Sequence, residues 1–214
     1  MLLSKSIANL YTEGNEMSKI ITISRQYGSG GREIGEKLAA KLQIPFYDNQ
    51  LIMLAAEKSG FNAKYFEDPE KNAGNSFLYS IVRGMQYQYR TATPWSLEET
   101  VYTTQSEVIR SIAEKGPAVI IGRCADYILK DHPNVLKVFV YADMDFRCER
   151  AIRIDGVEPD KAKETVITKN KRRANYYNYH SDFKWGEAFN YNICIDSSLS
   201  GIDRAVDIIA SLVD

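Results

Sequence analysis

The sequence predicts an α/β fold in which helices cover both faces of a parallel sheet. Short, almost continuously apolar runs alternate with stretches of helical periodicity, and this alternation is typical of strands that are buried on both faces. The first apolar run is followed by a glycine cluster and then by an amphipathic helix, which is the layout of a phosphate-binding unit. A chain of 214 residues suits one domain with a sizeable core.

The glycine cluster lies between the first strand and the first helix. A β-branched run over residues 20–23 predicts the strand, and Ile34, Leu38 and Leu42 recur at four-residue spacing on one face of the helix. Between them, the loop at residues 28–31 (GSGG) lets backbone N–H groups converge, and the helix N-terminus adds unpaired donors and partial positive charge. An anion could be held there almost without side chains. The alternative is a glycine-rich turn that binds nothing.

This loop departs from a regular Walker A motif. With Gly31 as the last glycine, the pattern G-x-x-x-x-G-K-[ST] requires Gly at 26, Lys at 32 and Ser or Thr at 33, but the chain has Gln26, Arg32 and Glu33. Arg32 can still supply positive charge to a phosphate, as a planar fork. Glu33 cannot replace a neutral hydroxyl beside magnesium without bringing its own negative charge near the phosphates.

Further elements follow along the chain. Apolar runs predict four more strands, over residues 44–48, 118–121, 135–141 and 191–196. Helical patterns begin or lie at residues 98–115, after Asp143 or Asp145, at 158–179 and from Ser200 onward. Asp48 is placed to cap a helix that begins near residue 49, and Ser200 with Asp203 forms a capping-box-like start. Residues 59–98 have weak periodicity and predict either a helical insertion that closes over a ligand or a solvated loop and helix.

Composition excludes several classes of protein. The 27 basic and 28 acidic residues nearly balance, which argues against nucleic-acid binding through bulk charge. No apolar run approaches the roughly 18 residues that a membrane span needs, so no membrane partner is expected. Cys124, Cys148 and Cys194 show no C-x-x-C spacing, so we expect buried free thiols, no metal held by the protein, and a reducing, cytoplasmic compartment.

The first 16 residues lack a long apolar stretch and do not resemble a secretory signal. Met17 is a plausible alternative start. We therefore expect residues 1–16 to be a frayed tail or to precede the native start, and residues 17–214 to form a single domain.

Two basic clusters suggest ligand contacts. Arg147, Arg150 and Arg153 stand at three-residue steps and fan over one side of a helix. Together with Arg32, after the glycine loop, and Arg123, at the carboxyl end of the strand at 118–121, they could surround a polyphosphate. The alternative is a solvated helix face paired with Glu149 and Asp155. Basic and aromatic residues interleave over 169–179, and such a stretch could bind a nucleotide or single-stranded RNA.

Several of these segments together carry a resemblance to a known family. They are ISRQYGSGG at 23–31, PFYD at 45–48, VIIGRCAD at 119–126, the three arginines of the helical series, KNKRRANYY at 169–177 and YNICIDSS at 191–198. In this order they resemble the cytidylate kinase-like family, within the P-loop nucleoside monophosphate kinases. The resemblance spans residues 17–214. It implies a three-layer, adenylate-kinase-like fold with a five-stranded parallel sheet, a helical acceptor-binding insertion at 49–98 and a lid at 147–180.

The resemblance also implies roles for individual residues. The glycine loop would bind the donor nucleotide through Gly28, Ser29, Gly30, Gly31, Arg32 and Glu33. Catalysis would depend on the charge of Arg32, Arg147, Arg150 and Arg153. The acceptor would be bound by Asp48, Arg123, Asp126 and Arg173. Two family aspartates are absent, since Cys124 and Asn170 stand in their places, and this removes the expectation of cytidylate specificity.

These observations lead to three hypotheses of different classes. The first is an enzyme that uses ATP and Mg²⁺ to phosphorylate a nucleoside monophosphate or a related small acceptor. The second is a non-catalytic nucleotide-binding or sensing protein, which the altered Walker A loop favours. An RNA-associated protein that uses residues 169–179 is a third, and an exposed aromatic helix face would permit a homodimer.

Overall fold

The computed structural model describes residues 20–48 and 97–213. Its strands are β1 (Ile20–Arg25), β2 (Phe46–Tyr47), β3 (Ala118–Ile121), β4 (Val135–Tyr141) and β5 (Ile193–Asp196). All pair in parallel and form one sheet in the order β2-β3-β1-β4-β5. The predicted α/β class with a five-stranded parallel sheet is therefore confirmed.

Helices connect the strands. In chain order they are α1 (Gly31–Leu42), α2 (Leu97–Lys115), α3 (Ala125–Ile128), α4 (Met144–Asp155), α5 (Ala162–His180), α6 (Ser197–Ser200) and α7 (Ile202–Ala210). Short 3₁₀ turns occur at Pro159–Lys161 and Ala188–Asn190. No helix within residues 20–48 or 97–213 is long and apolar enough to cross a bilayer.

The sheet is covered on both faces because side chains alternate along each strand. Ile21 and Ile23 of β1 face a cluster that includes Leu38 of α1 and Ile209 of α7. Ile20, one residue earlier, faces the other cluster, which α2 and α3 complete. These two apolar layers are the ones that the alternating strand and helix patterns predicted.

The strand order creates a crevice beside β1. This strand pairs with β3 on one side and with β4 on the other. After β1 the chain continues to strands on the β3 side of the sheet, and after β3 it crosses to strands on the β4 side. In open parallel sheets, ligands bind at the carboxyl ends of the strands where the order reverses in this way. The segments that follow the strands at this edge begin at Gln26, Gly122 and Ala142.

Several local predictions can be compared with the structure. Asp143 caps α4 as expected, since its Oδ1 accepts a hydrogen bond of 2.7 Å from the amide of Phe146. The prediction of a capping box at Ser200 is wrong. The residue before α7 is Gly201, and the Ser200 hydroxyl donates to the carbonyl of Asp196 at 2.9 Å. The long polar helix begins at 162 instead of 158 because Pro159 starts a 3₁₀ turn.

Some predictions concern other parts of the chain. The tail at 1–16, the helix beginning near 49 and nearly all of the proposed acceptor insertion at 49–98 lie outside the described residues. The three cysteines are free, with Cys124 buried and Cys148 and Cys194 partly buried.

Candidate phosphate-binding site

The glycine loop makes a tight turn between β1 and α1. Gly28 and Gly30 have φ values of 79° and 76°, in the left-handed region that favours glycine. The Ser29 hydroxyl is buried and donates to the carbonyl of Gln26 at 2.8 Å, which closes the turn. Gly30 precedes α1 and accepts a hydrogen bond from the amide of Ile34 at 2.9 Å. The first-turn amides of α1 have no partner inside the helix, and such a helix N-terminus favours an anion.

Helix α4 packs directly on this loop. A Cβ atom built on Gly28 would lie 2.5 Å from the backbone oxygen of Arg147, so the backbone of α4 approaches closely there. A Cβ atom built on Gly30 would collide with the Ile202 side chain of α7 and would lie 3.3 Å from the guanidinium carbon of Arg150. The glycines therefore serve two purposes, since they permit the left-handed turn and they make room for α4 at Gly28 and for Ile202 and Arg150 at Gly30.

Arg147 and Arg150 are both buried, with relative exposures of 8% and 9%. The Arg147 Nε donates to the carbonyl of Asp143 at 3.1 Å, and no carboxylate within the described ranges pairs with its guanidinium. Burial lowers the pKa of Arg147. Because a buried cation without a carboxylate is costly, this arginine is suited to an anion that is supplied from outside. Arg153, by contrast, lies exposed on the last turn of α4.

Glu33 occupies the position of the Walker A hydroxyl and binds Arg150. Its Oε2 lies 2.6 Å from Arg150 Nη2, and its Oε1 lies 3.5 Å from Lys37 Nζ. The hydrogen bond from Arg150 is the main cause that lowers the pKa of Glu33. The carboxylate thus orients the arginine that lies beside Gly30.

Arg32 extends toward β2 and away from α4. Its Nε donates to Asp48 at 2.9 Å, and its Nη1 lies 2.8 Å from Glu36. The other oxygen of Asp48 lies 4.0 Å from Nη2 of Arg25, the last residue of β1. The structure therefore brings together a predicted catalytic residue, Arg32, and a predicted acceptor residue, Asp48, as one ion pair.

Helix α5 contacts the loop from a third direction. The side-chain oxygen of Asn170 accepts a hydrogen bond of 2.7 Å from the amide of Tyr27, and Arg173 donates to the carbonyl of Arg25 at 3.1 Å. The Lys169 ammonium lies 4.2 Å from the centre of the Tyr27 ring, within cation–π distance. Part of the basic and aromatic stretch at 169–179 therefore faces the glycine loop.

The segment after β3 turns through three consecutive left-handed residues. Gly122, Arg123 and Cys124 have φ values of 66°, 58° and 56°. Two of these are not glycine, and such backbone strain is concentrated at functional sites. The Arg123 side chain is partly exposed and has no hydrogen-bond or ion-pair partner among the residues that the structure describes. The Cys124 thiol is buried, which raises its pKa.

Asp126 is buried at the second position of α3, two residues after Cys124. Its carboxylate is 1% exposed and accepts hydrogen bonds from the Ser24 hydroxyl at 3.1 Å and the Tyr177 hydroxyl at 2.6 Å. Burial raises the pKa of Asp126, against the effect of these two hydrogen bonds. The carboxylate joins β1, α3 and α5.

Sequence reasoning missed two contributors to this site. Arg25 was not among the candidates, although a charged residue at the carboxyl end of a buried strand is a pointer to a ligand site. Asn170 was noted only as a departure from the family, and nothing in the sequence indicated that it would bind the loop. Within the described residues, no group of three His, Cys, Asp or Glu side chains could hold a metal ion.

The sheet order and the glycine loop define a P-loop kinase fold. Solved structures that share it include shikimate kinases of Bacteroides thetaiotaomicron (17% identity, TM-score 0.51, covering 90% of this chain and 96% of that one) and Acinetobacter baumannii (15%, 0.50, 92% and 94%). An uncharacterized protein from Eubacterium ventriosum is more similar, with 29% identity, a TM-score of 0.67, and coverage of 91% and 98%.

Sequence comparison narrows the class to a family. Residues 20–199 match the model of the cytidylate kinase-like family. A cytidylate kinase from Methanosarcina barkeri is 31% identical over 201 residues, which cover 91% of this chain and 96% of that protein. The chain therefore belongs to the cytidylate kinase-like family, as the resemblance implied.

Proposed function

We propose that this protein transfers the γ-phosphoryl group of ATP to a nucleoside monophosphate or a related small acceptor. The observation that carries the proposal is the packing of two buried arginines, Arg147 and Arg150, against the glycine loop. Phosphoryl transfer depends mainly on positioning and on neutralising the charge of the transferred group. A loop with unpaired helix amides, flanked by buried guanidinium groups, supplies both.

The residues divide into a donor side and an acceptor side. On the donor side, the loop amides would hold the phosphates of ATP, and Arg147 and Arg150 would stabilise charge on the transferred group. Arg32 and Asp48, which pair at the β2 end, would orient the acceptor together with Arg123. The assignment of Arg32 as a clamp on the donor phosphates stays a prediction, since it requires the side chain to leave Asp48.

Mg²⁺ is the proposed cofactor, bound together with ATP. Mg²⁺ is commonly held by one or two carboxylates, substrate phosphates and water. Glu33 fits this requirement as a single, partly exposed carboxylate at the start of α1, where a Walker A loop has its metal-binding hydroxyl. The ion would supply charge neutralisation between the phosphates. Glu33 would hold it when the phosphates take over its contact with Arg150.

The test is a phosphoryl-transfer assay on the purified protein with ATP, Mg²⁺ and a panel of nucleoside monophosphates. We expect transfer to at least one of them, and Arg147→Gln to lower kcat by about 100-fold or more, since it removes a donor to the transition state. Arg204→Gln, an exposed change on α7, is the control. ATP binding without transfer to any acceptor would replace the proposal with a non-catalytic nucleotide-binding role.

A further inference from the structure

We propose that Ser197 is a positioning residue that holds the Gly30 amide of the glycine loop in the direction needed to bind a phosphate oxygen. This inference rests on the proposed function and identifies a residue that prepares its donor site. Ser197 begins α6, directly after β5. Both Ser197 and Ser29 of the loop have relative exposures of 0%, so a contact between them is shielded from water.

The Ser197 hydroxyl donates a hydrogen bond to the glycine loop. Its oxygen lies 2.6 Å from the carbonyl oxygen of Ser29 and 3.0 Å from that of Tyr141, the last residue of β4. A serine hydroxyl carries one hydrogen, and the shorter distance identifies Ser29 as its main acceptor. Tyr141 pairs with Asp196 in the sheet, so Ser197 ties the loop to the adjacent ends of β4 and β5.

This hydrogen bond sets the direction of the next amide. In a trans peptide the C=O and the N–H point in opposite directions. Because the Ser29 carbonyl points at Ser197, the Gly30 N–H points away from it. Within residues 20–48 and 97–213, the Gly30 N–H has no hydrogen-bond partner, so it is available to a phosphate oxygen.

Glycine alone does not hold this peptide in one direction. Turning it over changes only ψ of Ser29 and φ of Gly30, and glycine adopts positive and negative φ with similar ease. The observed φ of Gly30 is 76°. In the reversed peptide the Ser29 carbonyl would replace the Gly30 N–H and would present its negative end to the phosphates. Ser197 supplies the contact that favours the productive direction.

The next residue of α6 supports the helix that carries the donor arginines. The Ser198 hydroxyl accepts a hydrogen bond of 3.2 Å from the amide of Asp143, which caps α4. The carbonyl of Asp143 in turn accepts the 3.1 Å hydrogen bond from Arg147 Nε. Ser197 and Ser198 therefore connect the Gly30 amide and the Arg147 guanidinium to the end of one strand, β5. Two groups proposed to bind the same triphosphate thus share one support.

The experiment compares the wild type with Ser197→Ala, Ser197→Cys and Ser200→Ala. Ser200 is the matched control, because its hydroxyl lies 2.9 Å and 3.0 Å from the carbonyls of Asp196 and Gly201, in its own segment. Titration calorimetry measures the affinity for ATP with Mg²⁺, and ¹H–¹⁵N NMR follows the Gly30 amide during the same titration. A phosphoryl-transfer assay with a panel of nucleoside monophosphates is run on each protein.

We expect Ser197→Ala to weaken ATP binding about tenfold, as for the loss of one hydrogen bond to a charged group. The Gly30 amide resonance should shift on adding ATP to the wild type and should shift much less in this variant. Ser197→Cys has a side chain of similar size with a weak donor, so it should weaken binding about threefold, and it guards against a folding defect in the alanine variant. Ser200→Ala should match the wild type within about twofold.

A purely structural role for Ser197 would lower the unfolding temperature without changing how the Gly30 amide of the folded protein responds to ATP. The inference is overturned if both Ser197 variants bind ATP as the wild type does, if Ser200→Ala loses as much affinity, or if the Gly30 resonance responds equally in all proteins. ATP binding that depends on Ser197, without transfer to any acceptor, would support the inference and reject the proposed function. Transfer at the wild-type rate by both Ser197 variants would do the reverse.

Discussion

Glu33 places a negative charge where a Walker A loop has a neutral hydroxyl. In the structure this charge is balanced by Arg150 at 2.6 Å and Lys37 at 3.5 Å. A triphosphate that binds the loop would attract the same arginine, and the freed carboxylate would then repel the phosphates unless a divalent cation lay between them. Glu33 should therefore make nucleotide binding more dependent on Mg²⁺.

Glu33→Gln tests this role. Without Mg²⁺, we expect the variant to bind ATP at least as tightly as the wild type, because a repulsive charge has been removed. The gain in affinity on adding Mg²⁺ should shrink about tenfold or more, as expected for the loss of one contact to a charged group. Titration calorimetry with ATP, in Mg²⁺ and in EDTA, measures both values.

Glu36→Gln is the matched control, because Glu36 lies one turn later on α1 and pairs with Arg32 instead of Arg150. Its Mg²⁺-dependent gain should equal that of the wild type. A Glu33→Gln variant that lost ATP affinity equally with and without Mg²⁺ would show that Glu33 only orients Arg150.

Helix α5 lies within the segment predicted as a lid and contacts the glycine loop. Its residues 169, 170 and 173 contact the ring and amide of Tyr27 and the carbonyl of Arg25. Asn170 accepts the amide hydrogen without adding a charge, so the positive potential of the loop is preserved. We infer that this hydrogen bond holds the first half of the loop in place before a nucleotide binds.

Asn170→Ala should loosen the loop. A hydrogen bond of this kind contributes about 1 kcal/mol, so amide exchange at Tyr27 should become roughly fivefold faster. Hydrogen–deuterium exchange resolved to residues 25–30 measures this. Asn178 lies on the same helix and accepts a similar 2.8 Å bond from the amide of Trp185, beyond the helix end, so Asn178→Ala should leave exchange in the loop unchanged. Equal protection in all three proteins would contradict the inference.

The elements were predictable from sequence because each depends on local pattern. Apolar runs placed every strand to within two residues, and the four-residue spacing of Ile34, Leu38 and Leu42 identified the inner face of α1. Ser200 shows where such reasoning fails. In a capping box its hydroxyl oxygen would accept a hydrogen bond from a backbone amide, whereas in the structure the hydroxyl donates to the carbonyl of Asp196, and a pattern of residue types cannot tell which of these bonds forms.

The site was less predictable than the fold because it depends on contacts between distant segments. The sequence identified the glycine loop and the arginines of α4, yet three-residue spacing could not show that Arg147 and Arg150 are buried while Arg153 is exposed. The Arg32–Asp48 pair joins residues 16 positions apart through the geometry of β2, and Asn170 reaches Tyr27 across 143 positions. Such pairings follow from tertiary packing and not from local propensity.

Asp126 links the sheet to two helices and affects the stability of the whole molecule. Burial raises its pKa, although hydrogen bonds from Tyr177 and Ser24 oppose this. A raised pKa means that the folded protein binds this proton more tightly than the unfolded chain does. The contribution of Asp126 to stability is therefore complete below the unfolded pKa of about 4 and is lost as pH rises through the folded pKa.

Asp126→Asn removes this titration and leaves a side chain of the same shape. Relative to the variant, the wild type should lose unfolding free energy as pH rises from about 4 toward 7. Urea unfolding at several pH values measures it, and Asp131→Asn, at an exposed position just beyond α3, should show no such trend. A pH-independent difference for Asp126→Asn would mean that the carboxyl group has the same proton affinity in both states. The link between β1, α3 and α5 would then depend on hydrogen-bond geometry and not on charge.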